Sequence, residues 1–316
     1  MKIVILDRES IGFDTPLSVL NALGEVTSYD ITQPHQVFER IAKSDVVILN
    51  KVKITEEIIQ KSKNLKLICV FATGFDNIDV AAARANGVSV CNVPAYSTDS
   101  VTAWTVSTVL ALSTRLREYN DYVSSGEYTA SGKPNLLTPV FHDISGKVWG
   151  IIGCGDIGSS VARVATALGA RVVTYQRHPH PIYDTIPLDE LCSISDIITV
   201  HCPLTAETKA IINSERLQHM KKSVILVNAA RGAVLDESAV AQAVKDANVG
   251  FFGCDVYSVE PFTSEHPYYE LKDASNVILT PHCAWGSFEA REKCINIIAD
   301  NIASFVDGKI KNRVDI

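Results

Sequence analysis

The fold is decided by residues 147–170, which read KVWGIIGCGDIGSSVARVATALGA. Residues 148–152 form a short apolar run that is typical of a buried parallel strand. Behind it, apolar residues recur at the spacing of one helix face and end at Gly169, which is placed to cap the helix. Those apolar residues are Ile157, Val161, Val164, Ala165 and Leu168. The stretch therefore predicts a strand, a glycine-rich turn and a helix in direct succession.

The glycines of this turn, Gly153, Gly155 and Gly158, have the spacing GxGxxG. Gly153 permits a tight turn, Gly155 lets the backbone approach a pyrophosphate, and Gly158 lets the helix and strand pack closely. Phosphates would meet the N–H groups of the helix N-terminus, which adds Asp156 and Ile157 to the candidate cofactor-binding residues. The alternative is an ordinary glycine-rich turn, but the position between a strand and a helix favours a dinucleotide site.

The composition describes a globular chain of about two domains. Its 316 residues are 47% hydrophobic and 21% charged, which is enough to bury a large core. The net charge is −7 and no basic patch stands out, so nucleic acid is not an expected partner. No apolar run approaches the ~18 residues that span a bilayer, and the opening MKIVILDRES predicts a first strand rather than a signal peptide. We therefore expect a cytoplasmic protein with no membrane partner.

Cysteine and histidine are not arranged as metal ligands, so no metal is expected. The eight cysteines include no C-x-x-C pair, and most lie in apolar stretches, which favours reduced, buried thiols over disulfides. Five histidines have no evident partner in the sequence and are expected to be structural or solvated. They are His35, His142, His201, His219 and His266.

Residues 1–95 alternate strand-like and helical runs, which predicts a second parallel α/β sheet that lacks a glycine fingerprint. The predicted strands are Ile3–Leu6, Glu25–Tyr29, Val46–Leu49, Leu67–Phe71 and Val88–Val93, and the helices include Thr55–Lys61 and Asp79–Ala85. Thr98–Tyr119 has a nearly all-apolar helix pattern, so we expect a buried helix that bridges two domains or contacts another subunit. Residues 120–145 are polar and contain Gly and Pro, and are expected to form a loop.

After residue 147 the strand and helix signals repeat. Strands are predicted at 148–152, 171–175, 196–201, 223–228, 249–255 and 276–280, about the six of a full dinucleotide-binding sheet. Ser287 is placed to cap a last helix that ends at Gly308.

Four polar residues lie where strands of this second half end. Arg231, Asp255, Glu260 and His282 each follow or end a predicted strand, and ligands of open α/β sheets bind beyond the carboxyl ends of the strands. Each alone is compatible with a helix-cap neighbour, a solvated charge or a structural histidine. Together Arg231 supplies a carboxylate clamp, His282 a titrating group and Glu260 an acid to orient it. That set suits hydride transfer to an α-keto acid.

These residues lie in segments that resemble the D-isomer-specific 2-hydroxyacid dehydrogenase family, in the family's order and over essentially the whole chain. The segments are ATGFDNIDVAAARANGV (72–88), NVPAYSTDSV (92–101), SGKVWGIIGCGDIG (145–158), HCPLTAET (201–208), NAARGAVLDESAV (228–240), DVYSVEP (255–261) and TPHCAWGS (280–287). The chain looks most like the glycerate dehydrogenase/hydroxypyruvate reductase branch. The resemblance implies two doubly wound domains, a flavodoxin-like substrate domain (1–97 and 288–316) and a Rossmann NAD(P)-binding domain (98–287).

The resemblance also implies roles for individual residues. Arg231 would hold the substrate carboxylate and keto oxygen, and His282 would protonate the keto oxygen during reduction. Glu260 would hydrogen-bond His282, fix its tautomer and stabilise its protonated form. Backbone amides near Thr73 and Gly74 would meet the substrate carboxylate from the other domain, which requires closure of the two domains.

Cofactor choice departs from the family's usual pattern. The acidic residue that grips the adenosine ribose is expected about 20 residues past the glycines. Here the strand ends in Gln176, Arg177 and His178, which favours NADP(H), with NAD(H) as the alternative and a merely solvated Arg177 as the plainer interpretation. By resemblance, further residues would line the cofactor, and Asp255 would face the nicotinamide amide. They are Pro203, Thr208, Ala229, Ala230, Arg231, Asp255 and His282.

Two other positions depart from the family. An acidic residue is common where Trp104 stands, and a tryptophan where Tyr128 stands, and both changes bear on the substrate side or on subunit contacts. The sequence thus predicts a reductase of hydroxypyruvate or glyoxylate, acting as a homodimer. D-lactate or another 2-hydroxy acid, a nucleotide-sensing protein like the corepressor relatives of the family, and a formate dehydrogenase are alternatives. Glu260 counts against the last of these, because that branch lacks the glutamate.

Overall fold

The computed structural model describes all 316 residues, which form two compact units. The first unit comprises Met1–Ser97 and Gly286–Ile316, and the second comprises Thr98–Trp285. The strands are β1 (Lys2–Ile5), β2 (Glu25–Ser28), β3 (Val46–Leu49), β4 (Leu67–Val70), β5 (Ser89–Cys91), β6 (Val148–Ile152), β7 (Arg171–Tyr175), β8 (Asp184–Thr185), β9 (Ile197–Val200), β10 (Ile225–Asn228), β11 (Phe251–Cys254) and β12 (Val277–Leu279). The α-helices are α1 (Ser18–Asn21), α2 (Val37–Ile41), α3 (Glu56–Lys61), α4 (Val80–Ala85), α5 (Thr98–Ser113), α6 (Leu116–Ser124), α7 (Glu127–Ser131), α8 (Asp156–Ala167), α9 (Leu188–Ile194), α10 (Ser214–His219), α11 (Glu237–Lys245) and α12 (Phe288–Val306).

The first unit is built on a five-stranded parallel sheet of order β2-β1-β3-β4-β5. This is the flavodoxin-like order, so the predicted fold class is confirmed for this unit. Strands β3 and β4 are buried along their whole length, as their unbroken apolar runs predict. Thr55 and Asp79 cap α3 and α4 by accepting hydrogen bonds from amides of the first turn, and Ser287 caps α12 in the same way.

The second unit is built on a seven-stranded parallel sheet of order β12-β11-β10-β9-β6-β7-β8. Counted from β6, this is the Rossmann order with one strand more, which confirms the predicted dinucleotide-binding fold. The strand that the sequence did not reveal is β8, a two-residue edge strand of polar residues. None of the helices in the chain combines the length and the apolarity that crossing a membrane requires.

The prediction of one helix over Thr98–Tyr119 is wrong. The helix ends at Ser113, and a second one begins at Leu116 after Arg115, whose φ of +54° is left-handed. The guanidinium of Arg115 bonds the Glu118 carboxylate through Nε and Nη2 and lies 5.4 Å from the centroid of the Phe251 ring. These contacts hold Arg115 in a conformation that breaks the helix, although the apolar pattern continues across it.

The expectation of a loop over 120–145 is wrong in its first part, because α6 runs to Ser124 and α7 follows. Helix α5 is buried on most of its circumference, as predicted, with Ala103 and Ser107 exposed on one side. All eight cysteines are free thiols, and seven of them are buried. Burial raises the pKa of Cys202 to about 11 and that of Cys192 to about 12, so both are neutral at physiological pH. Cys283 is exposed.

Candidate active site

The glycine-rich turn leads from β6 straight into α8. Gly153 has a φ of +86°, and a Cβ there would lie 2.6 Å from the backbone nitrogen of Cys202. A Cβ on Gly158 would lie 2.3 Å from the carbonyl oxygen of Gly153. Both glycines are therefore required by the protein's own geometry, the first by its turn and the second by the packing of α8 against β6.

Gly155 is different, because nothing in the protein requires it to be glycine. Its φ of −76° is open to any residue, and no atom lies within 4 Å of the position that a Cβ would take. No side chain caps α8, whose first turn follows directly. An open position beside uncapped amides at a helix N-terminus fits the pyrophosphate of a dinucleotide, which approaches the backbone there.

His201 marks the same region from the neighbouring strand. It follows β9, which pairs with β6 at the point where the strand order reverses and ligands of such sheets bind. Both ring nitrogens are inaccessible to solvent and have no hydrogen-bond partner, although part of the residue surface remains open. Burial lowers the pKa of His201 to about 4, so the imidazole is neutral. A neutral donor and acceptor left unpaired here fits a polar ligand, and the expectation that His201 is merely structural or solvated missed this.

The loop after β7 carries the residues expected to discriminate between cofactors. Arg177 and His178 are exposed, and Arg177 Nη2 lies 3.9 Å from Glu207 Oε2. His180 fixes the loop, since its Nδ1 accepts hydrogen bonds from the amides of Ile182 (3.1 Å) and Tyr183 (3.2 Å). Its Nε2 therefore carries the proton and donates to Ser159 Oγ at 3.3 Å, in the first turns of α8. The loop is thus tied to the helix that follows the glycine turn.

The candidate catalytic residues follow three neighbouring strands. Strands β10, β11 and β12 are parallel and in register, with Asn228 beside Cys254 and Cys254 beside Leu279. Arg231 and His282 each lie three residues beyond these strand ends. Because adjacent strands are about 4.8 Å apart, the ends of β10 and β12 are about 10 Å apart on one edge of the sheet.

His282 is held in an uncommon backbone conformation by Asp255. The φ of His282 is +53°, in the left-handed region that side chains rarely adopt. Asp255 is buried, and its carboxylate accepts hydrogen bonds from Thr280 Oγ1 (2.5 Å), Cys283 N (2.9 Å) and Ala284 N (2.8 Å). These bonds surround His282 on both sides. Asp255 thus shapes the loop that presents the imidazole, and its predicted contact with nicotinamide stays a prediction.

Glu260 contacts His282 directly. His282 Nδ1 lies 2.7 Å from Glu260 Oε2, and Glu260 Oε1 accepts a hydrogen bond from the amide of Tyr257 at 3.0 Å. Since the carboxylate accepts, Nδ1 carries a proton and Nε2 is the ring nitrogen that faces away from the glutamate. The two side chains are 22% and 28% exposed, so a small molecule can reach them. This pair can hold and release a proton at the mouth of the sheet.

Arg231 lies in a loop that is fixed by Asn228, a residue that the sequence analysis did not single out. Asn228 is fully buried, and its Nδ2 donates to the carbonyl of Arg231 (2.9 Å) while its Oδ1 accepts from the amide of Ala230 (3.0 Å). A Cβ on the next residue, Gly232, would lie 2.1 Å from the carbonyl carbon of Tyr257. The Arg231 loop therefore touches the loop that carries Glu260, and a polar residue ending a buried strand was the available signal for Asn228.

The other predicted site residues have local roles. The hydroxyl of Thr208 donates to the carbonyl of Pro203 (2.6 Å) and accepts from the amide of Thr205 (2.7 Å), which closes their loop. In the first unit, Thr73 Oγ1 donates to the carbonyl of Val93 at 2.9 Å, and Gly74 follows it. Ligand contacts of these residues stay predictions.

The two departures from the family pattern are in the second unit. Trp104 is half-buried and packs on the core around β6. Tyr128 is 40% exposed, and its hydroxyl donates to the carbonyl of Pro134 at 3.2 Å. His266 does have a carboxylate partner, Glu237, which corrects the expectation that it has none. The two residues are 29 positions apart, so no local pattern could have revealed the pair.

Comparisons with known proteins agree with this geometry. A sequence profile described as "D-isomer specific 2-hydroxyacid dehydrogenase, NAD binding domain" matches residues 106–284. The chain is 37% identical over 315 residues to a glycerate dehydrogenase of Methylorubrum extorquens, covering 99% of both chains. It is 34% identical over 324 residues to a hydroxypyruvate reductase of Blautia hydrogenotrophica, covering all of both. Among solved structures, an acyclic imino acid reductase in complex with NADPH and D-Arg superposes with a TM-score of 0.88 at 28% identity, over 99% of this chain and 100% of that one.

Proposed function

Because the chain belongs to the D-isomer specific 2-hydroxyacid dehydrogenase family, we propose that it reduces a small 2-keto acid of the hydroxypyruvate or glyoxylate type to the D-2-hydroxy acid with NADPH. The observation that carries this proposal is the 2.7 Å contact of Glu260 with His282, beside the loop of Arg231. An anion clamp and a proton donor at the carboxyl edge of a dinucleotide-binding sheet are what this reaction needs.

In this proposal Arg231 binds the substrate carboxylate and the keto oxygen through paired, charge-assisted hydrogen bonds. A reduced nicotinamide, when bound, supplies the hydride for the keto carbon. Protonated His282 gives its Nε2 proton to the keto oxygen, so a keto acid, a hydride and a proton make one hydroxy acid. Glu260 keeps the Nδ1 proton in place and balances the charge of the imidazolium, which then regains its proton from solvent. In the oxidative direction neutral His282 accepts the hydroxyl proton.

NADP(H) is favoured because the 176–180 loop presents a cation and no carboxylate. Arg177 and His178 are exposed and within reach of solvent, where a 2′-phosphate would be bound. Glu207 lies 3.9 Å from Arg177 and offsets part of its charge, but both side chains are about three-quarters exposed, so the pair is weak. NAD(H) is the alternative.

The substrate class rests on the relatives named glycerate dehydrogenase and hydroxypyruvate reductase, which the chain matches over its full length. D-lactate or another D-2-hydroxy acid remains the alternative substrate. A homodimer is part of the proposal, because several large apolar side chains are exposed in a short segment of the second unit. They are Leu116, Val123, Tyr128, Leu137, Val140 and Phe141.

The test is absorbance at 340 nm with hydroxypyruvate, glyoxylate, pyruvate and phenylpyruvate, each with NADPH and with NADH. We expect the first two substrates with NADPH to give the highest kcat/KM. We expect His282→Asn to reduce turnover by about 10²–10⁴-fold while NADPH still binds. We expect Arg177→Ala to weaken NADPH binding and to leave NADH binding unchanged. Silence of the native chain across the whole panel would contradict the proposal and favour a nucleotide-sensing role.

A further inference from the structure

A second imidazole–carboxylate pair lies behind the Glu260 loop. Glu237 is the first residue of α11, and its Oε2 lies 3.2 Å from His266 Nε2, with side chains only 10% and 7% exposed. His266 Nδ1 accepts a hydrogen bond from the amide of Tyr268 at 3.2 Å, so the ring proton is on Nε2 and points at Glu237. The carboxylate is therefore held in place by a buried donor.

Glu237 uses the same carboxylate to grip the loop that carries Glu260. Its Oε1 accepts a hydrogen bond from the amide of Ser258 at 2.9 Å, and its Oε2 accepts one from the Ser258 hydroxyl. The preceding amide, that of Tyr257, donates to Glu260 Oε1 at 3.0 Å. Two consecutive amides are thus each fixed by a glutamate, one belonging to α11 and the other being the partner of His282.

Tyr257 connects this loop to the loop of His282. Its ring centroid lies 5.9 Å from that of His266 at an interplanar angle of 86°, and 4.6 Å from that of Phe262. Its hydroxyl donates to the carbonyl of Thr280 at 2.9 Å, two residues before His282. Burial raises the pKa of Tyr257, so it stays a phenol and keeps this donor. A shift of Ser258 would therefore move both partners of the Glu260–His282 contact.

We propose that Glu237, fixed by His266, is a positioning residue that sets the Glu260 carboxylate against His282 Nδ1. The proposal rests on the proposed function, in which that contact stabilises the proton donor. Without Glu237 the Ser258 end of the loop loses two hydrogen bonds, and Glu260 no longer has a fixed distance to the imidazole. Protonated His282 then forms less readily, so reduction fails at a lower pH. The cofactor site around Gly155 is unaffected.

A purely structural role of the pair gives a different result. Loss of a buried hydrogen-bonded carboxylate then lowers the melting temperature and the yield of folded protein. The pH dependence of the remaining activity stays that of the native chain. The pH profile and the titration of His282 are therefore the measurements that separate the two roles.

The experiment compares Glu237→Ala with Ser258→Ala, which removes only the hydroxyl contact, and with Glu270→Ala as the matched control. Glu270 is an exposed glutamate paired with Lys245, at the opposite end of α11. We expect Glu237→Ala to lower kcat/KM for reduction about tenfold at pH 8 and to move the half-maximal pH downward, with Ser258→Ala intermediate. The dissociation constant of NADPH, measured by fluorescence, stays unchanged in all three variants. The His282 imidazole, followed by NMR without substrate or cofactor, titrates at lower pH in Glu237→Ala.

Glu260→Gln, alone and combined with Glu237→Ala, completes the set. If Glu237 acts through Glu260, the double variant shows the pH profile of Glu260→Gln alone. A shifted profile for Glu260→Gln with an unshifted one for Glu237→Ala overturns the inference and leaves the proposed function standing. An unshifted profile for Glu260→Gln overturns the role of Glu260 in the proposed function, and the inference with it. Should Glu237→Ala not fold, an unshifted His282 titration in Ser258→Ala overturns the inference.

Discussion

At the scale of the residue, His282 shows how much of the site is maintained by groups that do no chemistry. A non-glycine residue with a left-handed backbone costs of the order of 1–3 kcal/mol, and the φ of His282 is +53°. Asp255 offsets this cost, since its buried carboxylate takes three hydrogen bonds from residues on either side. The imidazole is therefore presented by a loop whose shape is fixed before any ligand arrives.

His201 should make the stability of the protein depend on pH. Its pKa is about 4 in the folded chain and about 6.5 when unfolded, so the unfolded state binds more protons between these values. The stabilisation is complete above about pH 6.5 and is lost as the pH falls towards 4, by about 3 kcal/mol in total. Urea denaturation at pH 7 and pH 4 should show this loss in the native chain and not in His201→Gln. Equal losses in the two proteins would show that His201 does not titrate in this way.

At the scale of the element, the strand–turn–helix unit of β6 and α8 separates structural glycines from a functional one. Gly153 and Gly158 are constrained by backbone atoms within 3 Å of the position that a methyl group would take, whereas Gly155 faces open space. A methyl group at the constrained positions must displace the protein, and one at Gly155 can only meet a ligand. The unit therefore makes opposite predictions for alanine at neighbouring positions.

Gly155→Ala should leave the unfolding free energy within about 1 kcal/mol of the native value, because the new methyl group has room and only helix capping is weakened. The dissociation constant of NADPH should rise about tenfold or more, since the methyl lies where the pyrophosphate approaches. Gly158→Ala should instead lower the unfolding free energy by about 1–3 kcal/mol through its clash with the Gly153 carbonyl. Denaturation and fluorescence titration measure the two quantities. Tight NADPH binding by Gly155→Ala would remove the turn from the cofactor site.

Elements also show what the sequence could reveal. Continuous apolar runs made β3 and β4 predictable, and the rule that ligands bind at carboxyl ends of strands brought Arg231 and His282 to one edge. The break before α6 was not predictable, because it depends on the contacts of Arg115 with Glu118 and with an aromatic ring distant in sequence. The pairing of His266 with Glu237 and the bonds of Asp255 are likewise tertiary, and no spacing rule encodes them.

At the scale of the whole molecule, the chain divides its tasks between two sheets of the same class. The first unit is assembled from both ends of the chain, since α12 and the last residues return to it. The buried Asp315 carboxylate accepts a hydrogen bond from the amide of Val90 at 2.8 Å and pairs with Arg313. The second unit is one continuous segment and holds the residues proposed for proton transfer. Each unit has a core of its own, around β1–β5 in one and β6–β12 in the other.

The exposed apolar side chains after α5 give the proposed homodimer its test. Leu137 is 75% exposed and Val140 is 66% exposed, so aspartate at both positions should not disturb the fold of the protomer. Light scattering after gel filtration should give twice the protomer mass for the native chain and a single protomer mass for the double variant. Phe13→Asp serves as the control, since this side chain is 62% exposed in the first unit. An unchanged mass for the double variant would place the subunit contact elsewhere.

The distribution of thiols has a practical consequence. Seven of the eight cysteines are buried, and the exposed one, Cys283, directly follows the imidazole proposed as proton donor. Burial and the nearby Asp255 raise the pKa of Cys283, so the group alkylates slowly at neutral pH and faster in mild alkali. A maleimide dye would therefore label the native polypeptide at a single, known place without engineering. Its emission would then report ligand arrival in real time, and its steric bulk would act as a covalent inhibitor that any excess of keto acid should slow.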